Sequence, residues 1–409
     1  MVFKCQEDSF LKEFTAKVIS CEEVSKNIII NGKKTNFNGF EVVLENTILF
    51  PEGGGQPSDT GYLNQSKVCY VARKGDIAIH YVDEPLKVGE NVTQKIDWNK
   101  REDHMQQHSG QHLISAIFER KYGLQTVSWW LGEETSYIEL DTPSVSDELL
   151  IAVENEVNEL IQQARKVDVI VYNKDTPAEV LQEAKSNRGL PDDHVGDIRV
   201  ISIDGIDNNM CCGTHVNNLS QLQAIKLLNS EKSKRLNKTF VHFLCGKRVL
   251  KRLDDCLKRE QKLTVLLKNN PVQHPELVEK LLKNIKNVSK NLSTVLKDLA
   301  IHEVMKLKNA DPTPKYYSLH RKEAEPDFMN VFIQEYGKTD VLLFLSTGEE
   351  KGVGNIVLYG PEDDVQKLGP RICSLMDGKG AGKGNKFQAK VTKMENRSKA
   401  EQVVKEHFS

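Results

Sequence analysis

Apolar residues in the first 95 positions come in short β-branched and aromatic runs, at 28–30, 40–44 and 77–82, separated by Asn-Gly, glycine-rich and proline-rich turns. Runs of this length with such breaks predict strands, and a small β-barrel or open sheet over residues 1–95. From Asp97 the period changes: Met105, His108, His112, Leu113, Ala116 and Ile117 recur at spacings of three and four, which predicts a helix with one buried face. A second helix is expected over 146–164, then strands at 168–172, 198–203 and 223–228, so residues 96–246 read as an α+β domain. Residues 247–310 repeat Leu, Val and Ile at helical spacing and break at Asn270-Pro271, where the missing proline N–H should end one helix of a helical hairpin. Residues 311–409 open with Pro312 and Pro314, hold an apolar strand at 340–346 and a glycine-lysine loop at 378–386, and predict a C-terminal α/β domain. The fold class is therefore α+β, in four domains.

Composition adds little to that outline and charge adds more. The 409 residues are 39% hydrophobic and 28% charged, with a mean hydropathy of -0.47, as expected of a soluble globular chain. No apolar run approaches the ~18 residues of a membrane span, and the N-terminal residues lack the apolar core of a secretory signal, so a cytoplasmic protein is expected. Eight scattered cysteines suit reduced thiols rather than a disulfide framework. The net charge of -2 hides a division: residues 247–309 carry 15 Lys and Arg against 7 Asp and Glu, and residues 371–409 carry 9 against 4. An acidic front joined to a basic rear suits a protein that grips a polyanion with one part and acts with another.

Two separated histidine and cysteine clusters carry the candidate chemistry, HMQQHSGQH at His104, His108 and His112, and CCGTH at Cys211, Cys212 and His215. Residues four apart on a helix lie on one face about 6 Å apart along the axis, so paired imidazoles can converge on one ion. The second cluster sets a thiol and an imidazole in a tight loop, and the combined nitrogen and sulfur donors suit tetrahedral Zn2+, one ion per chain. Spacing leaves open whether His104/His108 or His108/His112 is the pair, and which cysteine reaches. A zincin peptidase is disfavoured, because HExxH needs a glutamate after the first histidine and the residues there are Met105, Ser109 and Leu113.

A third signal is PEGGGQPSDTG, from Pro51 to Gly61, directly after a strand-like segment. Its three glycines permit positive φ and let backbone N–H groups approach a ligand closely, which suits an ester or a ribose-phosphate. It matches neither the GxxxxGK[ST] nor the GxGxxG pattern, so nucleotide-triphosphate and dinucleotide binding are disfavoured.

Taken together, TxxFPxGGGQPxDxG from Thr47 to Gly61, HxxxH at His108 and His112, and CxxxH at Cys211 and His215 closely resemble the signature of the alanyl-tRNA synthetase editing domain and its free-standing relatives, the AlaX-type editing proteins. The resemblance runs in order over residues 1–246, and the remainder is similar to the C-terminal extension of the long AlaX form. It implies His108, His112, Cys211 and His215 as zinc ligands, with His104 and Cys212 as neighbours. It implies hydrolysis of the ester joining serine, and to a lesser degree glycine, to tRNA(Ala).

Such an enzyme exists to discriminate. A site built to hydrogen-bond a hydroxyl can refuse the analogue lacking it by ~10⁴-fold, whereas a pocket rejecting an added hydroxyl manages only about 10². The resemblance gives Thr47 as the hydroxyl partner. Water would attack the ester carbonyl with backbone N–H groups of Gly54, Gly55 and Gln56 available to the oxyanion, and the Gln56 side chain orienting substrate or water. Asp59 completes the substrate-binding set. A full four-residue shell argues for an ion that positions substrate. Lys379, Lys383 and Lys386, with Lys390, are the RNA-binding candidates, and the hairpin or the C-terminal domain could form a homodimer. The competing expectation is a zinc-stabilised RNA-binding or scaffold protein without hydrolytic activity.

Overall fold

A computed structural model describes residues 3–30, 33–172, 176, 197–322 and 326–409. It is a mixed α and β structure with several sheets, and divides into two compact units, Met1–Glu260 and Gln261–Ser409.

The first unit begins with a one-turn helix, α1 (Lys4–Glu7), followed by β1 (Glu13–Ile30), β2 (Lys33–Leu44), β3 (Gly61–Leu63), β4 (Ser66–Lys74), β5 (Ile77–Val82) and β6 (Asn91–Ile96). Their order, β1-β2-β5-β4-β3-β6, closes on itself because β6 pairs back onto β1 from Glu13 opposite Lys95 to Lys17 opposite Asn91. Alternate residues point inward, and Val18, Val42, Leu63, Val68, Val71 and Val92 fill the barrel core. The connection from β2 to β3 carries the glycine-rich motif out of this core.

Next comes α2 (Trp98–Tyr122), capped by the Asp97 side chain at its start and by Gly123 at φ 67° at its end. The expected single buried face is too narrow a description, since every residue from His104 to Phe118 is buried. Several of its polar side chains are enclosed because they find distant partners. Gln106 donates to Gln221 O at 2.9 Å, and Gln107 exchanges two bonds with the Cys245 backbone at 2.9 and 3.1 Å. Packed on α2 are β7 (Thr126–Leu131), β8 (Ser136–Leu140) and α3 (Asp147–Gln162), then β9 (Val167–Tyr172), β10 (Ile198–Ile203), β11 (Asp207–Met210), β12 (Ile225–Lys232) and β13 (Thr239–Cys245). They form a three-stranded sheet, β11-β10-β9, and a four-stranded one, β12-β13-β8-β7. The sequence pattern leaves out β7, β8, β11 and β13; β11 is almost wholly polar and β13 carries apolar residues on both faces, so neither shows a two-residue period.

Helices α4 (Lys247–Leu267) and α5 (His274–Lys308) flank Pro271, which starts a short 3-10 turn. In the second unit the sheet order is β14-β15-β16-β18-β17, from β14 (Tyr316–Arg321), β15 (Leu342–Gly348), β16 (Gly354–Tyr359), β17 (Gly378–Lys383) and β18 (Lys386–Val391). The end of α5 and α6 (Pro326–Tyr336) cover one face, through Val304, Leu307, Phe328 and Phe332; α7 (Glu362–Leu375) and α8 (Arg397–Phe408) cover the other, through Leu368, Ile372 and Val404. The glycine-lysine run is not a loop, as expected from its composition, but the hairpin β17–β18, paired from Gly378 opposite Val391 to Lys383 opposite Lys386. An edge strand tolerates the glycines because its partner supplies the pairing.

Candidate metal centre

Helix α2 places His108 and His112 on one face, with ring centroids 5.1 Å apart. The loop after β11 brings Cys211 and His215 to the same point. Cys211 Sγ lies 3.4 Å from His108 Nε2 and 3.2 Å from His215 Nε2, and the four donor atoms all lie within 4.8 Å of one another. A tetrahedral shell with bonds of about 2.0–2.3 Å has edges of roughly 3.3–3.6 Å, which the two Cys211 distances already match, and the donor set suits zinc once its wider separations close by about 1 Å.

Buried partners fix the free face of each ring. Thr214 N donates to Gln56 Oε1 at 3.0 Å, which identifies that atom as the amide oxygen, so His108 Nδ1–H donates to it at 2.8 Å and Nε2 is left as a lone pair. His215 Nδ1 meets Ser109 Oγ at 3.0 Å, and a proton there leaves its Nε2 to the centre. Burial pushes His112 down to about 4, with the Arg199 guanidinium adding to the effect. Burial, the two neighbouring imidazoles and Arg199 take His215 well below its ordinary value. Neutral imidazoles are the ligating form.

The glycine motif sits against this centre as a tight turn. Gly53 and Gln56 exchange backbone bonds at 3.2 and 3.0 Å, with Gly54 and Gly55 at φ 56° and 81°, the pattern of a type I′ turn. A side chain at Gly213 would put its Cβ 2.2 Å from His108 Cε1, so only glycine lets the cysteine loop approach that ring. The turn consumes the Gln56 N–H, which corrects its place among the oxyanion donors; the Gly54 and Gly55 N–H groups make no hydrogen bond among the described residues. The Gln56 side chain is likewise committed, with its amide N–H on Thr214 Oγ1 at 2.9 Å, and it positions His108 rather than facing a ligand.

Other expected residues lie deeper. The Asp59 carboxylate is fully buried, ion-paired with Arg101 and accepting from Phe50 N at 2.7 Å, so it anchors the motif's far end instead of meeting substrate. Arg101 also donates to Ser9 O at 2.8 Å and Ile48 O at 2.5 Å. Thr47, 1% exposed, has its hydroxyl in the barrel interior, 2.8 Å from His80 Nε2, 2.9 Å from Gln94 Oε1 and accepting from Leu49 N at 3.0 Å. Lys379 and Lys390 line a groove of about 490 Å³ with Asn355 and Gln388 in the second unit, while Lys386 Nζ donates to Asn330 at 3.0 Å.

Sequence reasoning missed Ser109, Trp129, Arg199 and Thr214. Trp129 packs on His108 at 4.9 Å between centroids. Arg199 pins the cysteine loop through Cys211 O at 2.8 Å and reaches Gln6 O at 3.0 Å. Only Ser109 and Thr214 carried a signal, each lying beside a candidate ligand.

A relative from Xenopus laevis, "Alanyl-tRNA editing protein Aarsd1-B", is 47% identical over 409 residues, covering 100% of this chain and 98% of its own length. The chain belongs to the alanyl-tRNA editing protein family. Within that family, the mouse "Alanyl-tRNA editing protein Aarsd1" is also 47% identical, over 100% and 98% of the two chains, and the Saccharomyces cerevisiae "Putative alanyl-tRNA editing protein alaX" is 31% identical over 96% and 93%. Residues 198–242 match the model described as threonyl and alanyl tRNA synthetase second additional domain, and residues 6–100 match tRNA synthetases class II (A). The first of these holds Cys211 and His215, so family membership and the donor cluster point to one site.

Proposed function

We propose that the chain is a trans-acting editing hydrolase, an aminoacyl-tRNA deacylase that removes serine, and with it glycine, from tRNA(Ala) by hydrolysing the ester to the terminal ribose. The observation that carries this reading is the convergence of four zinc-type donors on a glycine turn with two unengaged backbone N–H groups. His108, His112, Cys211 and His215 would hold Zn2+, which in a filled tetrahedral shell supplies a positive centre that positions the substrate. The Gly54 and Gly55 N–H groups stand as donors for charge developing on the ester carbonyl oxygen; removing one such donor typically costs ~10²–10³ in rate. Gln56 holds the His108 proton on Nδ1, and Trp129 screens that ring from water.

Thr47 enters as the partner for the serine hydroxyl, a role in which its own hydroxyl exchanges His80 or Gln94 for the substrate. Lys379, Lys383 and Lys386 supply phosphate contacts. Exposed apolar residues on α5, Leu281, Ile285, Val288, Leu292 and Val295, support a homodimer through that helix. Among the described residues no helix is long and apolar enough to cross a membrane, and we place the activity in the cytoplasm, where charged tRNA is used.

The test is deacylation of Ser-tRNA(Ala), Gly-tRNA(Ala) and Ala-tRNA(Ala) by the purified protein. Selective loss of serine is expected, diminished in His108→Ala and Cys211→Ala together with metal content. Binding of tRNA without any turnover would establish the scaffold reading instead. A Thr47→Val protein with an unchanged preference for serine over alanine would remove Thr47 from recognition.

A further inference from the structure

Beyond the metal ligands, α2 continues outward in steps of four residues, from His112 and His108 to His104 and Lys100. Each step advances about 6 Å along the axis, so His104 stands about 6 Å and Lys100 about 12 Å from the level of His108. Both carry a polar atom with no hydrogen-bond partner among the described residues. His104 is 6% exposed, and its Nδ1 is shut away from solvent with no hydrogen-bond partner among the described residues. Buried polar atoms are normally paired, and on α2 two are not among the described residues, Gln111 Oε1 and His104 Nδ1, the latter an imidazole that asks for a ligand. Lys100 is half-buried, and its ammonium makes no hydrogen bond or ion pair among the described residues.

The charges that face His104 are paired, apart from Lys100 itself, whereas Lys100 also faces the carboxylates of Asp97, Glu133 and Glu52. His104 faces Asp59, Lys100, Asp103 and Arg248, and burial holds its ring at about 4, hence neutral. Asp59 is neutralised by Arg101, and Asp103 by Arg248 through bonds of 2.7 and 2.6 Å. Lys100 has Asp59, Asp97, Glu133 and Glu52 around it, and burial, the largest influence, lowers its pKa. Glu52 belongs to the glycine motif and Glu133 follows β7, so Lys100 stands between the two segments that flank α2.

We propose that His104 and Lys100 seat the terminal nucleotide of the acylated tRNA, His104 hydrogen-bonding the ribose hydroxyl beside the ester and Lys100 pairing with the phosphate on the 5′ side of that ribose. This rests on the editing reading. The order fits the ligand: ester at the metal level, ribose hydroxyl one turn out, phosphate two turns out. A neutral imidazole can donate to or accept from a hydroxyl, and an unengaged ammonium is a point charge for phosphate.

The experiment pairs protein and substrate changes. Ser-tRNA(Ala) ending in adenosine is compared with the same tRNA ending in 2′-deoxyadenosine, for the parent, His104→Ala, His104→Asn and Lys100→Ala proteins. The parent should lose roughly five- to tenfold in kcat/KM on the deoxy substrate, the worth of one hydrogen bond. His104→Ala should lose as much on the ordinary substrate and little more on the deoxy one, with partial recovery in His104→Asn. Lys100→Ala should raise KM at constant kcat and reduce the slope of log(kcat/KM) against log salt by about one. Metal content and melting temperature should stay at the parental values, and Kd for a 3′-amide seryl-tRNA analogue should follow the same pattern without turnover. Losses that multiply between His104→Ala and the deoxy ending, an unchanged salt slope for Lys100→Ala, or metal loss in the His104 proteins would each overturn the seat. A parent protein inactive on both substrates would instead defeat the editing reading.

Discussion

Replacing Gln56 separates a residue that touches substrate from one that holds a metal ligand. Its Oε1 accepts from both His108 Nδ1 and Thr214 N, at 2.8 and 3.0 Å, and the residue is fully buried. Gln56→Ala leaves two buried donors unpaired, at ~1–3 kcal/mol each, so a loss of several kcal/mol in stability is expected. It also frees the His108 ring to rotate, and loss of such an outer partner typically lowers metal affinity by about 10–100-fold. Gln56→Glu retains an acceptor for both donors, and the Thr214 hydroxyl can turn to donate to its second oxygen. Zinc affinity by chelator competition, with thermal melting alongside, reads both effects. The expected order is parent close to Gln56→Glu and both well above Gln56→Ala. Parental zinc affinity in Gln56→Ala would refute the positioning role, and equal damage in both variants would show that the amide N–H is what matters.

Three further outcomes follow from the same geometry. Asp59→Ala strands the Arg101 guanidinium at 0% exposure, and breaking such a buried pair should cost about 3–5 kcal/mol in chemical denaturation; a loss below 1 kcal/mol would contradict the anchoring role. His80 is held at about 4 against an ordinary 6.5, chiefly by burial, so between those pH values the unfolded chain takes up a proton that the folded chain refuses. Its stability contribution is complete above pH 6.5 and is lost as pH falls towards 4, by about 3 kcal/mol, and His80→Asn should flatten the denaturation-versus-pH curve by that amount. Reversing Lys379, Lys383 and Lys386 to glutamate should weaken tRNA binding and flatten its salt dependence, and filter binding that shows neither change would take β17–β18 out of RNA contact.

The candidate site was half legible in the sequence. Residue type and a four-residue interval placed His108 beside His112, because a helix fixes what lies one turn away whatever surrounds it. Three glycines in a row gave the turn, and Pro271 gave the helix break, for equally local reasons. The choice between Cys211 and Cys212 was not local. Cys211 Sγ turns to His108 and His215 because Arg199 and Gln6 grip the backbone of that loop, Gln6 from a residue more than 200 positions earlier.

Tertiary contacts also decided what the glycine motif's polar residues do. The letters of Gln56 and Asp59 are those of ligand-binding side chains, yet one holds His108 and the other Arg101, partners 52 and 42 positions away. The sequence by itself determined the donor chemistry, the helix that carries two of the ligands and the turns between strands, since each depends on neighbours within a few bonds or one helical turn. Which donors meet, which carboxylate is buried and which lysines lie on a strand were settled only when α2, the barrel and the cysteine loop packed together, because burial and pairing depend on residues that approach through space.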